Sequence, residues 1–309
     1  MALGRNANHR EPLTRLVRFE ATDGIELVGL LYEPFRATKR AIVFLHGTGG
    51  ASVFDSKRTN ILADEFLRAG IAFFAFNNRG AHVLRRLRST RRKRSISGGS
   101  AHEVIRDCVK DIDGALVNLR ARGYRDFTLV GHSTGANKIA VYDHYKPRNP
   151  VKRYVLLAGG DDTGLLHLQL GEKRFRAAIE KARAMIKEKR GDELVSSRLS
   201  SMPMSWRAFY DMANPDGDYN VFPFGEVLRD VQLSRRARFR YVKAIRKPSL
   251  FVYGENDEYC YDDVPGCVAV LAEAIGANEK IELAIMRDAD HGFGGREVEL
   301  AALIERWMR

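Results

Sequence analysis

Ser133 is the residue whose context most directly predicts chemistry, because Gly131 and Gly135 lie two positions to either side of it. The motif follows an apolar run at residues 127–130, typical of a buried strand, and precedes a helical pattern at residues 136–145. A serine at so sharp a turn needs small neighbours, since a nearby Cβ would collide with the helix or the next strand. The motif therefore predicts a nucleophilic hydroxyl. It also arises by chance in about one such chain in ten, so partner residues must support it.

A base and an acid follow Ser133 along the chain. Asp257 comes just after a strand-like run at residues 249–253, and His291 just after another at residues 281–286. Among the eight histidines, His291 alone lies after the last predicted strand and before the last predicted helix. His291 would take the proton of the attacking hydroxyl and return it to the leaving group. Asp257 would hold the imidazole in the productive tautomer, so the three residues predict a triad for acyl transfer.

Other carboxylates compete with Asp257 for the role of the acid. Glu255 and Glu258 share its loop. Asp161 and Asp162 follow the preceding predicted strand, at the same edge of the sheet. Asp257 is the preferred assignment, and these four residues are the alternatives.

A second turn predicts the donors that an oxyanion needs. The apolar run at residues 41–45 leads into His46, Gly47 and Thr48. The backbone N–H groups of Thr48 and of Thr134, the residue after the nucleophile, are expected to bind the oxyanion. His46 is expected to orient this turn by hydrogen bonds rather than to act as a base. His46 and Gly47 are also candidates for contact with the substrate.

Two further groups of residues are candidates for substrate binding. Asn78 and Arg79 follow a predicted strand at residues 71–76; a turn with a structural arginine is the alternative interpretation. The second group lies in a segment rich in methionine and aromatic residues and comprises Met204, Trp206 and Tyr210. These side chains would either line an apolar pocket or form the small core of their own segment.

The elements that must position these residues predict an α/β fold. Residues 16–21 and 25–32 flank Thr22-Asp23-Gly24, and Asp-Gly between alternating segments is a strong hairpin signal. Short apolar strands then alternate with helical patterns at residues 55–68 and 101–122. We expect a mostly parallel, twisted sheet with an antiparallel N-terminal hairpin and helices on both faces.

These motifs, in this order, resemble the α/β-hydrolase superfamily over about residues 17–309, apart from a middle insertion. Within it, the elbow motif and three other stretches resemble bacterial and fungal carboxylic ester hydrolases that include siderophore esterases: Phe76-Asn77-Asn78-Arg79-Gly80, Gly98-Gly99 and Asp107-Cys108-Val109-Lys110-Asp111-Ile112-Asp113. The resemblance implies an α/β-hydrolase fold and intracellular ester cleavage without a cofactor.

The insertion begins where α/β hydrolases place a cap. We expect a catalytic core of residues 1–162 and 248–309 and a helical cap, or lid, at residues 163–247. The apolar face of its first predicted helix, residues 172–190, is open to three interpretations. A lid over the catalytic cleft is preferred to an oligomer contact, as in a homodimer, and to a membrane-surface helix.

The net charge of +12 is densest in a loop predicted between residues 85 and 94. Seven basic residues and no acid occur there: Arg85, Arg86, Arg88, Arg91, Arg92, Lys93 and Arg94. A solvated loop is one interpretation, and attraction of an anionic substrate is the other. Nucleic acid is not expected as a partner, because the segment has no interleaved aromatic residues and belongs to no recognised nucleic-acid-binding fold.

The composition bounds the class of protein. No apolar run reaches the roughly eighteen residues of a membrane span, and the first nineteen residues lack the apolar stretch of a secretory leader. Three cysteines, Cys108, Cys260 and Cys267, show no metal-binding spacing and do not suggest a disulfide framework. We therefore expect a cytoplasmic protein with no metal site and no cofactor.

Together these features predict a serine hydrolase that cleaves a small-molecule carboxylic ester. An acyltransferase or thioesterase, or a peptidase of the acylaminoacyl type, would use the same triad and is the enzymatic alternative. A degenerate hydrolase that only binds its ligand is the alternative from another class.

Overall fold

An eight-stranded sheet runs through the part of the chain that the computed structural model describes, residues 13–49, 51–54, 56–91 and 94–309. Of the segments discussed above, residues 1–12, Gly50, Asp55, Arg92 and Lys93 lie outside the described residues. The described strands are β1 (Leu13–Glu20), β2 (Glu26–Glu33), β3 (Arg40–Leu45), β4 (Ala72–Asn77), β5 (Arg85–Ser89), β6 (Arg94–Gly98), β7 (Asp126–His132), β8 (Val151–Leu157), β9 (Ser249–Asn256) and β10 (Ile281–Asp290).

The order of strands in this sheet is β1-β2-β4-β3-β7-β8-β9-β10. β1 pairs antiparallel with β2, and β2 pairs antiparallel with β4. All other neighbouring strands of this sheet run parallel. The predicted α/β class, with an antiparallel N-terminal hairpin and a mostly parallel sheet, is confirmed.

Helices cover both faces of the sheet. In the described chain they are α1 (Lys57–Arg68), α2 (Cys108–Ala121), α3 (Thr134–Tyr145), α4 (Asp162–Leu170), α5 (Glu172–Lys187), α6 (Trp206–Ala213), α7 (Phe224–Leu228), α8 (Arg240–Ala244), α9 (Val264–Ile275) and α10 (Glu297–Trp307). Phe73 and Phe74 are neighbours in β4, and both are fully buried. Phe73 belongs to the core that includes α1 and α10, while Phe74 belongs to the core that includes α2 and α3. Successive side chains of a strand point to opposite faces, so both faces are covered.

The basic segment is not the loop predicted from its charge. β5 and β6 pair antiparallel from Arg85 opposite Gly98 to Ser89 opposite Arg94. Leu87 and Ser89 are buried, whereas Arg86 and Arg88 are exposed. Alternating arginines therefore occupy the outer face of a short hairpin, whose inner face packs on the protein.

The helix predicted at residues 101–122 begins later, at Cys108. Two short 3-10 turns precede it, Ser100–His102 and Ile105–Asp107, with extended backbone at Glu103 between them. Glu103 is buried and forms an ion pair with Lys138 of α3 at 2.6 Å. Glu103 makes this buried contact from extended backbone, so the helix cannot include it. The apolar periodicity of the segment does not indicate such a contact.

The middle insertion forms helices α4 to α8 between residues 162 and 244. The buried face of α5 contains five apolar residues: Phe175, Ala178, Ile179, Ala182 and Met185. This face belongs to the larger core and packs against α4 and α6. The apolar face of α5, for which the sequence left an oligomer contact or a membrane surface open, is therefore buried within the chain itself. None of the helices in the described ranges is long and apolar enough to cross a membrane.

Asp211 of α6 links the insertion to the turn that precedes α2. Its carboxylate accepts a hydrogen bond from the backbone N–H of Ile105 at 2.7 Å. Burial, with the nearby charges of Asp218 and Glu103, raises the pKa of Asp211 to about 7. Between about pH 4 and pH 7 the folded protein therefore holds a proton that the unfolded chain has released.

We expect Asp211 to make the protein less stable as the pH rises from about 4 through 7, because the folded state then has to bury a carboxylate. Asp211→Asn keeps an acceptor for Ile105 and should remove this pH dependence. At pH 8 the variant should gain up to a few kcal/mol over wild type, since one pKa unit is about 1.4 kcal/mol. Urea unfolding at pH 5 and pH 8 measures the effect.

Asp192→Asn, at an exposed aspartate of the same insertion, is the matched control and should follow wild type at both pH values. Parallel behaviour of Asp211→Asn and wild type would contradict the assignment.

Candidate active site

Ser133 sits at the turn between β7 and α3 and is the N-cap residue of that helix. Its φ is +57° and its ψ is −128°, a conformation that L-residues rarely adopt. The backbone N–H of Ser133 donates to the carbonyl of Leu157 in β8 at 2.8 Å, which holds the strained residue against the neighbouring strand. The local geometry is that of the sharp turn expected from the motif.

Three glycines allow the backbone to crowd around this serine. A Cβ on Gly135 would overlap the carbonyl oxygen of Leu45, and one on Gly131 would overlap the carbonyl oxygen of Gly135. A Cβ on Gly47 would lie 2.9 Å from the Cβ of Ser133. The turn after β3 therefore reaches the serine only because these side chains are absent.

His291 and Asp257 are paired behind the cavity that Ser133 lines. The Nδ1 of His291 lies 2.9 Å from the Oδ1 of Asp257, whose side chain is buried. With Nδ1 directed to the carboxylate, Nε2 is the ring nitrogen left for a reacting group. His291 and Ser133 line the same cavity, so the structure brings the predicted nucleophile, base and acid together.

Three of the alternative acids have other partners. Glu255 accepts the backbone N–H of Asp288 at 2.9 Å, and Glu258 accepts that of His291 at 3.2 Å. Asp161 accepts hydrogen bonds from two backbone N–H groups and from the Tyr261 hydroxyl. Asp162, in contrast, lines the cavity itself.

The predicted oxyanion turn lies beside the serine. Thr48 lines the cavity, whereas Thr134 is buried at the first position of α3. Helix N–H groups in the first turn have no acceptor within the helix and favour negative charge. Thr134 therefore directly follows Ser133, and Thr48 lines the same cavity as Ser133.

His46 fastens this turn to the loop after β4. Its Nδ1 lies 2.7 Å from the carbonyl oxygen of Gly47, and its Nε2 accepts the backbone N–H of Asn78 at 3.2 Å. This pattern assigns the proton to Nδ1. Burial and the positive charge of Lys138 lower the pKa of His46 to about 3, so the ring stays neutral. His46 and Gly47 both contribute to the cavity wall.

The other predicted substrate-binding residues are not among those that line the cavity. Arg79 donates to Asp111 and Asp23 through all three of its side-chain nitrogens, so its guanidinium has a structural role. The Asn78 side chain accepts the N–H of Gly80. Met204 and Trp206 are buried in the larger core, and Tyr210 packs against that core.

The cavity has a volume of about 420 Å³. Besides the residues above, its wall includes the apolar residues Phe44, Val53, Leu165 and Met202. Such a volume suits a small-molecule ligand. The described arginines of the β5–β6 hairpin are not part of the wall.

Arg58 and His132 form a clamp that the sequence did not reveal. The Nε2 of His132 lies 2.7 Å from the carbonyl oxygen of His291, and Arg58 donates to the carbonyl oxygen of Gly292 at 2.7 Å. Arg58 also lies against the His132 ring, 3.1 Å from Nδ1. Burial and this guanidinium hold the pKa of His132 well below its usual range, so the ring is neutral and donates from Nε2. Two side chains thereby fix the backbone that carries His291.

His132 belongs to the elbow motif, where the sequence drew attention to its neighbour. Arg58 lies on α1, more than seventy residues away from His132, and only tertiary contact identifies it. Among the described residues, no group of three or more His, Cys, Asp or Glu side chains is arranged to hold a metal ion.

Comparison with known proteins places the chain within a family. The model of DUF1749, a family described as protein of unknown function, matches residues 98–308. The chain belongs to this family. No curated protein matches the sequence.

Solved structures show the same fold. Est1E from Butyrivibrio proteoclasticus, with bound ferulic acid, has a TM-score of 0.60 at 14% identity, covering 94% of this chain and 97% of Est1E. Esterase Pf2001 from Pyrococcus furiosus has a TM-score of 0.58 at 15% identity, with coverage of 96% and 92%. Dienelactone hydrolase from Anabaena variabilis has a TM-score of 0.51 at 17% identity, with coverage of 97% and 98%.

The likeness establishes the α/β-hydrolase fold and confirms the resemblance seen in the sequence. The narrower resemblance to siderophore esterases stays a prediction.

The crowding at the elbow yields a stability test. Gly135→Ala places a methyl group against the backbone of Leu45, which cannot move without disturbing β3. We expect a loss of about 2 kcal/mol or more in the free energy of unfolding. Gly160→Ala is the matched control, since the nearest atom to its new Cβ is 3.9 Å away. Equal stabilities of the two variants in a urea titration would contradict the crowded elbow.

Proposed function

We propose that this chain is a serine hydrolase that cleaves a carboxylic ester through an acyl-enzyme, with Ser133 as the nucleophile. One observation carries the proposal. A serine in strained backbone and a histidine paired with a buried aspartate, His291 with Asp257, line one cavity. Each of the three follows a different strand of the sheet, an arrangement typical of acyl-transfer chemistry on this fold.

In the first half of the proposed reaction, the Oγ of Ser133 attacks the ester carbonyl carbon while Nε2 of His291 takes its proton. The carbonyl π electrons move to oxygen, and the N–H groups of Thr48 and Thr134 bind the oxyanion. Asp257 stabilises the imidazolium. The tetrahedral intermediate then expels the alcohol, which receives the proton from His291, and the acyl group remains on Ser133.

In the second half, water attacks the acyl-enzyme and gives its proton to His291. Collapse of the second tetrahedral intermediate releases the carboxylic acid and returns the proton to Ser133. The cycle needs no electron transfer, so the proposed chemistry requires no redox cofactor. Transfer to another acceptor would share the first half and differ only in the nucleophile of the second.

Arg58 and His132 act in this scheme as positioning residues. Both hold backbone carbonyls of the loop that carries His291. His132 also remains neutral beside the base, so it adds no positive charge that would oppose formation of the imidazolium. The likeness in fold to proteins described as esterases is consistent with the proposed chemistry.

Replacement of the nucleophile tests the proposal. Wild type should hydrolyse p-nitrophenyl esters and be labelled by a fluorophosphonate, which forms a covalent bond with activated serines. Ser133→Ala should lose labelling and about a thousandfold or more of kcat, because the acyl-enzyme cannot form. Mass spectrometry of the labelled peptide locates the modified residue.

Ser197→Ala, at an exposed serine of the insertion, is the matched control and should behave as wild type. A wild-type protein that neither labels nor hydrolyses would contradict the proposal, as would full activity in Ser133→Ala. Added alcohols and thiols, offered as acceptors alongside water, separate hydrolysis from acyl transfer.

Replacement of the acid separates the rival carboxylates. Asp257→Asn should lower kcat by about ten thousandfold, because the amide no longer favours the imidazolium or the required tautomer. Glu255→Gln alters a carboxylate that binds the backbone of Asp288 and should stay within a few fold of wild type. Steady-state kinetics on one p-nitrophenyl ester compares them, and a larger loss in Glu255→Gln would move the acid to that residue.

A further inference from the structure

The side chain of Asp162 does not cap the helix at whose first position it lies. It is the first residue of α4, but its neighbour Asp161 caps that helix by accepting the N–H of Gly164 at 2.8 Å. The second carboxylate oxygen of Asp161 accepts the N–H of Gly225 at 2.7 Å and the hydroxyl of Tyr261 at 2.8 Å. The junction of β8 with α4 is therefore built by Asp161.

The carboxylate of Asp162 instead faces the reaction cavity. Asp162 lines this cavity together with Ser133, His291 and Thr48. Its Oδ2 is shielded from solvent and has no hydrogen-bond partner among the described residues. A buried acceptor without a donor costs free energy, and a charged one costs more. Such a cost is typical of sites that a ligand completes.

Burial disfavours the charged form of Asp162 and raises its pKa to about 6, while interactions with His291 and Lys138 oppose that rise. The carboxylate is therefore ionised above about pH 6. Lys138 is itself buried and paired with Glu103 at 2.6 Å. Tyr219, also buried, lies close enough to Asp162 and Glu103 for both carboxylates to raise its pKa. Charged and polar side chains therefore lie near Asp162, yet its Oδ2 has no hydrogen-bond partner among the described residues.

We infer that Asp162 is a specificity residue that binds a hydrogen-bond donor, a hydroxyl or a protonated amine, carried by the ester substrate close to its scissile bond. The inference rests on the proposed hydrolase function and deepens it by naming the class of substrate. An ester bearing such a donor would satisfy Oδ2 while its carbonyl carbon lies at Ser133. An otherwise equal ester without the donor would leave the carboxylate buried and unpaired, and would be discriminated against.

Matched pairs of esters test this inference. On the acyl side, p-nitrophenyl 3-hydroxybutyrate is compared with p-nitrophenyl butyrate. On the alcohol side, the butyrates of ethylene glycol and of dimethylaminoethanol are compared with propyl butyrate. Wild type should favour at least one donor-bearing ester by about tenfold or more in kcat/KM, the range expected for a hydrogen bond to a buried charge. The favoured pair identifies the donor and the side of the ester that carries it.

Two variants of Asp162 then test whether the preference for the donor-bearing ester depends on this residue. Asp162→Leu removes the acceptor and should bring the ratio of kcat/KM values close to one. Asp162→Asn keeps a neutral acceptor and should reduce the ratio for an ammonium more than for a hydroxyl. Asp161→Asn is the matched control. Its ratio of kcat/KM values should equal that of wild type, because the Asp161 carboxylate binds backbone N–H groups of the protein.

Thermal unfolding gives a reading that does not depend on activity. Asp162→Asn should unfold at the wild-type temperature or higher, because it relieves a buried unpaired charge, whereas Asp161→Asn should unfold at a lower temperature. A wild-type enzyme that hydrolyses all the esters with equal kcat/KM would overturn the inference while leaving the hydrolase intact. A preference that persists in Asp162→Leu and Asp162→Asn would also overturn it. Absence of labelling at Ser133 would instead show that the proposed function itself has failed.

Discussion

At the end of β7, three stretches of backbone approach so closely that no side chain fits between them. Gly131 and Gly135 leave room for the carbonyl oxygens of α3 and β3, and Gly47 lets the turn after β3 touch Ser133. Under this constraint Ser133 takes a positive φ and stands at the N-terminus of α3. The strain is held by the hydrogen bonds of a sheet covered on both faces, so the position of the hydroxyl depends on the whole fold rather than on the turn alone.

Buried hydrogen bonds also fix the other loops of the site. His46 and His132 are both neutral, and each ties one loop to the next through a ring nitrogen. Arg58 lies beside His132 and binds the carbonyl oxygen of Gly292 in the same loop. Hydrogen bonds of this kind are stronger in a poorly solvated interior, and breaking one leaves a costly unpaired group. The Oδ2 of Asp162 is one of the buried side-chain atoms of the described residues that have no hydrogen-bond partner, and it belongs to a residue that lines the cavity.

Much of this architecture could be predicted from local pattern. The strands around Ser133, Asp257 and His291 were predicted because buried parallel strands are short apolar runs that end in functional turns. Predictions from charge and periodicity were wrong in two segments whose structure is set by tertiary contacts. The arginine-rich segment became a hairpin because Leu87 and Ser89 pack inward, and α2 began late because Glu103 turns to reach Lys138. Met204 and Trp206 became part of the larger core, whereas Met202 of the same segment lines the cavity.

The sequence by itself determined the class of fold and the identity of the candidate nucleophile, base and acid, since each lies beside its own strand and glycine spacing is a local requirement. Only the tertiary structure decided which groups surround them. Arg58 and His132 are far apart in the chain, and Asp162 differs from Asp161 by a single position, yet one caps a helix and the other faces the cavity. These distinctions depend on burial and on distances across the sheet. Both are set by the packing of the folded chain and cannot be read from the sequence.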